Sequence, residues 1–113
     1  MMRENMTLQQ LQHQVDNYIS QFEEGYFPPF EMVARMTEEL GELSREVQHV
    51  YGQKKKKETE DATNTIKEEL GDLLFTLMCF ANAQHICLDE ALLNVLQKFE
   101  TRDKDRWTRK DEQ

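Results

Sequence analysis

The chain has 113 residues, with 22 acidic and 14 basic side chains and a net charge of −8. This length fits one domain, which we assign to residues 1–113. The negative charge argues against a partner that is a nucleic-acid polymer, because such binding requires a basic surface that neutralises phosphates. A hydrophobic content of 38% is modest for a core built by one chain, so a partner chain is expected.

The chain carries two cysteines, Cys79 and Cys87, and both lie in or beside an apolar segment. They are interpreted as reduced core thiols rather than as a disulfide framework. We find no secretory signal before residue 20, and the longest apolar run, residues 73–83, is roughly half the length that spans a bilayer. The predicted location is the cytoplasm, without membrane contact.

Apolar residues recur at helical spacing along most of the chain, and almost nothing indicates a strand. The first helix is predicted to begin after Thr7, a suitable N-cap, and to end at Gly25. A segment with two prolines, residues 27–29, breaks the chain, and the second helix is predicted to continue to Gly52. Residues 53–64 lack apolar periodicity and are predicted to form a loop.

Thr65 and Glu68 could form a capping box that opens the third helix, and the alternative is that Glu68 is simply solvated. Its segment 73–81 is apolar on all sides, a pattern typical of a helix that is covered all round. One short chain has too few elements to cover it, so we predict a homodimer or homotetramer centred on the second and third helices. Asp89 is the predicted N-cap of a fourth helix, and residues 108–113 are predicted to fray.

Two acidic clusters carry the strongest functional signal. They are Glu38-Glu39-Leu40-Gly41-Glu42 and Glu68-Glu69-Leu70-Gly71-Asp72. In each, two carboxylates three residues apart share one side of a helix, and antiparallel packing of the two helices would bring all four together. Because like charges repel, such a group needs a cation, and Mg²⁺ prefers oxygen ligands. The predicted chemistry is therefore that of phosphates.

The acidic residues also have a less specific interpretation, as a solvated helix face. Acidic residues on helices are usually solvated, and one Glu-Glu-x-x-Glu motif alone would favour that interpretation. Two matched clusters, each followed by an apolar run, favour the metal site.

A polar and mainly basic stripe is predicted on the fourth helix. It consists of residues at every fourth position: Asn94, Lys98, Arg102 and Arg106. Lys98 and Arg102 could hold the outer phosphates of a nucleotide, since arginine offers a planar fork and lysine a point charge. The alternative is an exposed helix face that pairs with Glu100 or Asp103.

Other residues give weaker indications. The lysine run 54–57 could close over phosphates, although such runs are usually solvated. Phe27, Phe30 and Trp107 could stack on a nucleobase, although packing in a core or an interface is the more common role of aromatic side chains.

The acidic motifs Glu38-Glu39-x-x-Glu42 and Glu69-x-x-Asp72, followed by Lys98-x-x-x-Arg102, resemble those of MazG-like nucleoside triphosphate pyrophosphohydrolases. This family belongs to the all-α superfamily that includes dimeric dUTPases. The resemblance spans residues 27–107, and the segments 26–29 and 102–107 are similar to those of a small single-domain bacterial subgroup.

The resemblance implies an all-α helical bundle whose core is completed across a dimer interface, often paired into tetramers. It also implies Mg²⁺-dependent hydrolysis, with Mn²⁺ as a substitute, of a nucleoside triphosphate to a monophosphate and pyrophosphate. The implied metal ligands are Glu39, Glu42, Glu69 and Asp72. Glu38 would orient water or act as a base, and the implied substrate contacts are Lys98, Arg102 and Asn94. An Asn common in the family's third helix is replaced near Cys79, which leaves the base preference open.

Two other classes of protein are considered. Glu46-Val47-Gln48-His49 is one Glu-x-x-His motif, whereas di-iron bundles use two. His13 and His85 have no acidic residue three positions earlier, so the count fails. The second class is a non-catalytic helical dimer that binds metal structurally and serves as a protein-interaction module. This alternative predicts no nucleotide turnover.

Overall fold

The computed structural model describes residues 5–52 and 62–110, and it contains four helices and no strand in those ranges. The helices are α1 (Leu8–Ile19), α2 (Pro29–Tyr51), α3 (Ala62–Ala83) and α4 (Leu88–Thr101). The predicted all-α class is confirmed. α2 packs mainly against α3, while α1 contacts both α3 and α4. In the described ranges, no helix has the length and apolar character needed to cross a membrane.

The start of α1 is as predicted, but its end is not. The Thr7 hydroxyl accepts a hydrogen bond from the Gln10 amide at 3.1 Å, and the Gln10 side chain accepts one from the Thr7 amide at 2.8 Å. This reciprocal pair is a capping box. The helix ends at Ile19, so the predicted end at Gly25 was wrong. Gly25, with φ of +61°, instead supplies a left-handed turn in the connection to α2.

The boundaries of α2 follow the sequence signals. Pro29 occupies the first helical turn, where a missing amide proton is harmless. The helix ends at Tyr51, as predicted from Gly52, whose amide donates to the Gln48 carbonyl at 2.8 Å. A Cβ added to Gly52 would lie 2.6 Å from that carbonyl oxygen, so only glycine fits there.

Two predicted starts are corrected by the structure. α3 begins at Ala62, so Thr65 and Glu68 lie inside the helix and do not open it, and the predicted loop 53–64 extends too far. Residues 53–61, with the lysine run, lie outside the described residues. α4 begins at Leu88 with Cys87 as its N-cap residue, so Asp89 is in the first turn. There its carboxylate accepts from the Gln9 amide at 3.2 Å, a contact that joins α4 to α1.

The core of the single chain is small. Its buried apolar side chains in the described ranges are Met32, Met78, Cys79 and Ala81. On α3, Leu74, Phe75 and Leu77 remain 37–43% exposed. The apolar surface of α3 is therefore only partly covered by its own chain.

Candidate metal and nucleotide site

Three carboxylates converge between α2 and α3. One oxygen from each of Glu39, Glu69 and Asp72 lies within 4.8 Å of the other two, and we call this group the acidic triad. The structure thus brings together three of the four expected metal ligands. Glu42 lies outside the triad, although its charge raises the pKa of both Glu39 and Glu69. The role of all four as ligands stays a prediction.

Glu69 is the residue of the triad with an unsatisfied atom. Its Oε1 is buried and has no hydrogen-bond partner among the described residues. Burial raises the pKa of Glu69, and the negative charges of Glu42 and Asp72 raise it further. Burial and the neighbouring carboxylates therefore all disfavour the ionised form of Glu69.

The surroundings of Glu39 are similar but include one cation. Its pKa is raised by burial and then by the charges of Glu42 and Asp72, with a smaller contribution from the exposed Glu38 beside it. Arg35 Nε lies 3.8 Å from a Glu39 oxygen and acts in the opposite direction. The Arg35 side chain is 59% exposed, so its effect is weakened by solvent.

Contacts at two levels show how α2 and α3 run. The Tyr26 hydroxyl, shortly before α2 begins, lies 3.0 Å from the Asn82 amide near the end of α3, whereas Glu39, farther along α2, meets Glu69 and Asp72 in the first half of α3. The two helices are therefore antiparallel, the arrangement in which the two acidic clusters were expected to converge.

The donor set of the triad fits a hard divalent cation. Mg²⁺ and Mn²⁺ take carboxylate oxygens as ligands, and a bound cation would supply the buried Glu69 Oε1 with a partner. It would also favour the ionised forms of Glu39 and Glu69, whose pKa values are raised in the metal-free chain.

A cavity of about 580 Å³ opens beside the triad, with Glu39 and Asp72 on one side. We call it the aromatic cavity, because its walls include Tyr18, Phe22, Phe27 and Phe75. The Tyr18 ring meets those of Phe22 and Phe75 edge to face, with centroids 5.4 and 6.2 Å apart. Such a wall suits a flat apolar ligand such as a nucleobase.

The sequence indicated only part of this cavity. Phe27 was considered as a stacking residue and lines the cavity, whereas Phe30 is 91% exposed and Trp107 is 74% exposed, and neither lines it. The contributions of Tyr18 and Phe22 were missed, because each is one apolar residue of a periodic helix pattern.

The predicted basic stripe is only partly helical, because α4, which packs against α1, ends at Thr101. Asn94 and Lys98 lie on α4, Arg102 is its C-cap residue, and Arg106 lies in the turns beyond it. Lys98 Nζ lies 5.7 Å from the centre of the Phe99 ring, and Arg102 Nε is 3.9 Å from an Asp103 oxygen. In the described part of the single chain, neither cation joins the triad or lines the aromatic cavity, and the exposed Asn94 does not either. Their role as phosphate contacts stays a prediction.

Comparison with known proteins decides the family. The model of the MazG nucleotide pyrophosphohydrolase domain matches residues 27–107. The chain belongs to this family. It is 59% identical over 106 residues to protein YpjD of Bacillus subtilis strain 168, covering 94% of this chain and 95% of that protein.

Two crystal structures of MazG-like relatives have the same fold. One is that of YpjD from Bacillus subtilis, described as a candidate pyrophosphatase, with a TM-score of 0.81 and 54% identity over 87% of this chain and 99% of that one. The other is a Bacillus-conserved MazG protein, described as a nucleotide pyrophosphohydrolase, with a TM-score of 0.76 and 51% identity over 90% of this chain and 98% of that one.

The family resemblance predicted from the acidic motifs is thereby confirmed. Family membership makes the chain a nucleotide pyrophosphohydrolase, and enzymes of this family generally depend on a divalent metal. The di-iron alternative finds no support. Among the described residues, the triad is the only group of three or more metal-ligating side chains, and His49 pairs within α2 with Glu46 at 3.7 Å.

Proposed function

We propose that this enzyme hydrolyses a nucleoside triphosphate to the nucleoside monophosphate and pyrophosphate, with Mg²⁺ as its cofactor and Mn²⁺ able to replace it. The nucleotide is normal or modified, with ribose or deoxyribose. The observation that carries this proposal is the position of the acidic triad at the side of the aromatic cavity. A base held in that cavity places its phosphates next to the carboxylates.

Glu39, Glu69 and Asp72 would hold the metal, with Glu42 as a further ligand. When bound, a divalent cation neutralises phosphate oxygens and lowers the pKa of coordinated water. Glu38 is exposed on α2 beside Glu39 and would orient the attacking water by accepting a hydrogen bond from it. In the reaction, the water oxygen bonds to one of the two phosphorus atoms of the anhydride between the α- and β-phosphates. The bond from that phosphorus to the bridging oxygen breaks, the other phosphate leaves with the bridging oxygen, and the water's proton is released through Glu38 to solvent.

The phosphates beyond the metal would contact the basic stripe. We assign this role to Lys98 and Arg102, with Asn94 as a neutral hydrogen-bonding partner. All three are exposed in the single chain, Asn94 and Lys98 on α4 and Arg102 at its C-cap, so a ligand can reach their side chains. Since α4 lies outside the cavity of its own chain, we place this contact in the assembled homodimer or homotetramer.

We place the enzyme in the cytoplasm. Cys79 and Cys87 are both free thiols, which is usual in a reducing compartment. Free nucleoside triphosphates would be its partners there.

The test is a panel of nucleoside triphosphates incubated with the protein and Mg²⁺, with identification of the released phosphate species. We expect pyrophosphate and a monophosphate, no turnover in EDTA, and recovery when Mg²⁺ or Mn²⁺ is restored. Release of inorganic phosphate and a diphosphate would contradict the proposed cleavage position. Equal rates with EDTA and with Mg²⁺ would contradict the metal site, and a lack of turnover throughout would favour the non-catalytic module.

A further inference from the structure

Four polar side chains form a hydrogen-bond network near the aromatic cavity. They are Gln12 and Asp16 on α1, Tyr26 in the connection between α1 and α2, and Asn82 near the end of α3. We call this group the Tyr26 network. It joins three parts of the chain that are far apart in sequence, and no step of the proposed reaction uses it.

One end of the Tyr26 network is fixed by backbone groups of the α3–α4 connection. The Leu88 amide donates to Gln12 Oε1 at 2.8 Å, so the amide nitrogen of Gln12 must point the other way. This nitrogen donates to the Ile86 carbonyl at 2.8 Å and to Asn82 Oδ1 at 3.0 Å. Every polar atom of the Gln12 side chain, which is only 6% exposed, is thus paired.

This direction is passed along to Tyr26. Asn82 Oδ1 accepts from the Gln12 side chain, so Asn82 Nδ2 points the other way. Asn82 Nδ2 donates to the backbone carbonyl of Gln12 at 2.9 Å and to the Tyr26 hydroxyl at 3.0 Å. The Tyr26 oxygen therefore accepts from Asn82, and its proton is donated to Asp16 Oδ1 at 2.6 Å. Burial, then the hydrogen bond to Asp16, raises the pKa of Tyr26 to about 12, so this proton stays in place at neutral pH.

Tyr26 also stands at the border between two cavities. It lines the aromatic cavity and, together with Phe27 and Met32, a second cavity of about 690 Å³ that reaches His13 and His85. These three shared residues form a partition. Met32 is 5% exposed and is held by packing, whereas Phe27 is 50% exposed and follows Tyr26 directly. Of the three, Phe27 is the most exposed, and Tyr26, its neighbour in the chain, is the one held by side-chain hydrogen bonds.

We propose that the Tyr26 network positions Phe27 as a wall of the aromatic cavity and so sets which nucleobases the enzyme accepts. This inference rests on the proposed function, because it assigns the aromatic cavity to the base. Tyr26 acts here as a positioning residue, through Phe27, and has no part in bond cleavage.

The decisive variant is Tyr26→Phe, which keeps the ring and removes the hydroxyl that Asp16 and Asn82 bind. We expect KM for the preferred triphosphate to rise about three- to tenfold, because the loss of both hydrogen bonds of the hydroxyl leaves the Phe27 wall less firmly held, with a smaller change in kcat. The ratio of kcat/KM between the best and the poorest nucleotide of the panel should fall by a similar factor. The Mg²⁺ concentration that gives half of the maximal increase in melting temperature should not change.

Two control variants separate positioning from general stability. Asp16→Asn keeps an oxygen that accepts the Tyr26 proton, so it should retain the selectivity of the wild type. Thr7→Ala removes the capping box of α1, far from the partition, and should lower the melting temperature while leaving selectivity unchanged. If Tyr26→Phe does not fold, Asp16→Ala removes the acceptor of the Tyr26 proton and should also lower the selectivity.

The outcomes are distinct. A fall in the selectivity ratio for Tyr26→Phe, with the selectivity ratios of Asp16→Asn and Thr7→Ala unchanged, supports the inference. An unchanged ratio with a lower melting temperature overturns it, and so does an equal fall in Thr7→Ala. Absence of turnover in the wild-type protein would overturn the proposed function itself, and with it the assignment of the cavity.

Discussion

Glu69 shows at the scale of one residue how this site is balanced between stability and function. Its Oε1 is buried without a hydrogen-bond partner in the described chain, beside the carboxylates of Glu39 and Asp72. The burial and the like charges both disfavour the ionised form, so the metal-free fold carries a cost at neutral pH. Because Glu69 lowers the stability of the metal-free protein and a bound cation would relieve this cost, we expect Glu69 to be a metal ligand.

Glu69→Gln should therefore raise the melting temperature of the metal-free protein at pH 7 to 8. Because the pKa of Glu69 is raised above its ordinary 4.5, the folded state binds more protons than the unfolded state between the two values, and wild-type stability falls as pH rises through that interval. The advantage of the variant should be full above the raised pKa and disappear as pH falls towards the ordinary value. Thermal unfolding in EDTA across this pH range measures it.

The same variant should lose the stabilisation by Mg²⁺ that the wild type gains. Glu100→Gln, an exposed acid on α4, is the matched control and should change neither property. A lower metal-free melting temperature for Glu69→Gln would assign this residue a structural role instead.

At the scale of elements, the sequence predicted the helices better than their ends. Four helices follow from the apolar periodicity. Thr7 and Gly52 mark helix boundaries as predicted, and they could be recognised in the sequence because their hydrogen bonds are made to residues three or four positions away. Gly25 and Asp89 were misassigned. Gly25 serves a turn, and Asp89 serves a contact with Gln9 that is 80 positions away, which local patterns do not contain.

The candidate site divides in the same way. The acidic triad could be predicted, because the three-residue spacings of Glu39 with Glu42 and of Glu69 with Asp72 are visible within single helices. Only the antiparallel packing of the two helices had to be assumed. Of the aromatic cavity only part was indicated, with Phe27 as a stacking residue, and the Tyr26 network was not predicted, since their members come from α1, α2, α3 and the α1–α2 connection. Contacts of that kind depend on tertiary packing.

The basic stripe of α4 gives a prediction at the scale of the element. Arg102→Ala should lower kcat/KM for the triphosphate on the order of ten- to a hundredfold, because it removes a charge-assisted contact to phosphate. The Arg102 side chain is 72% exposed and its pair with Asp103 is long, at 3.9 Å, so this pair contributes little to stability and the melting temperature should hardly change. Steady-state kinetics and a Mg²⁺ titration measure these effects, and metal binding should survive.

Lys104→Ala is the control for Arg102→Ala, since Lys104 is an exposed cation two residues away and off the stripe. It should leave the rate unchanged at physiological salt. An unaltered kcat/KM for Arg102→Ala would show that the stripe is only a solvated face.

At the scale of the whole molecule, the single chain leaves much apolar surface uncovered. On α4, Leu92, Leu96 and Phe99 follow one another at helical spacing and are 52%, 46% and 51% exposed. On α3, Leu74 and Leu77 are also partly exposed. Isolated exposed apolar residues are normal, but stripes on two helices indicate a surface that another chain covers.

We therefore expect light scattering at micromolar concentration to give a homodimer or homotetramer, with a melting temperature that rises with protein concentration. Leu96→Asp places a charge on the α4 stripe, and a two-fold interface contains each substitution twice. The dissociation constant should rise roughly a hundredfold or more, because the charges lose their hydration when the chains associate. The matched control is Gln97→Asp, which adds the same charge beside the stripe and should leave the assembly intact. A folded wild-type monomer, or an equal effect of both variants, would contradict an interface through α4 and would remove the reason for placing Lys98 and Arg102 near the phosphates.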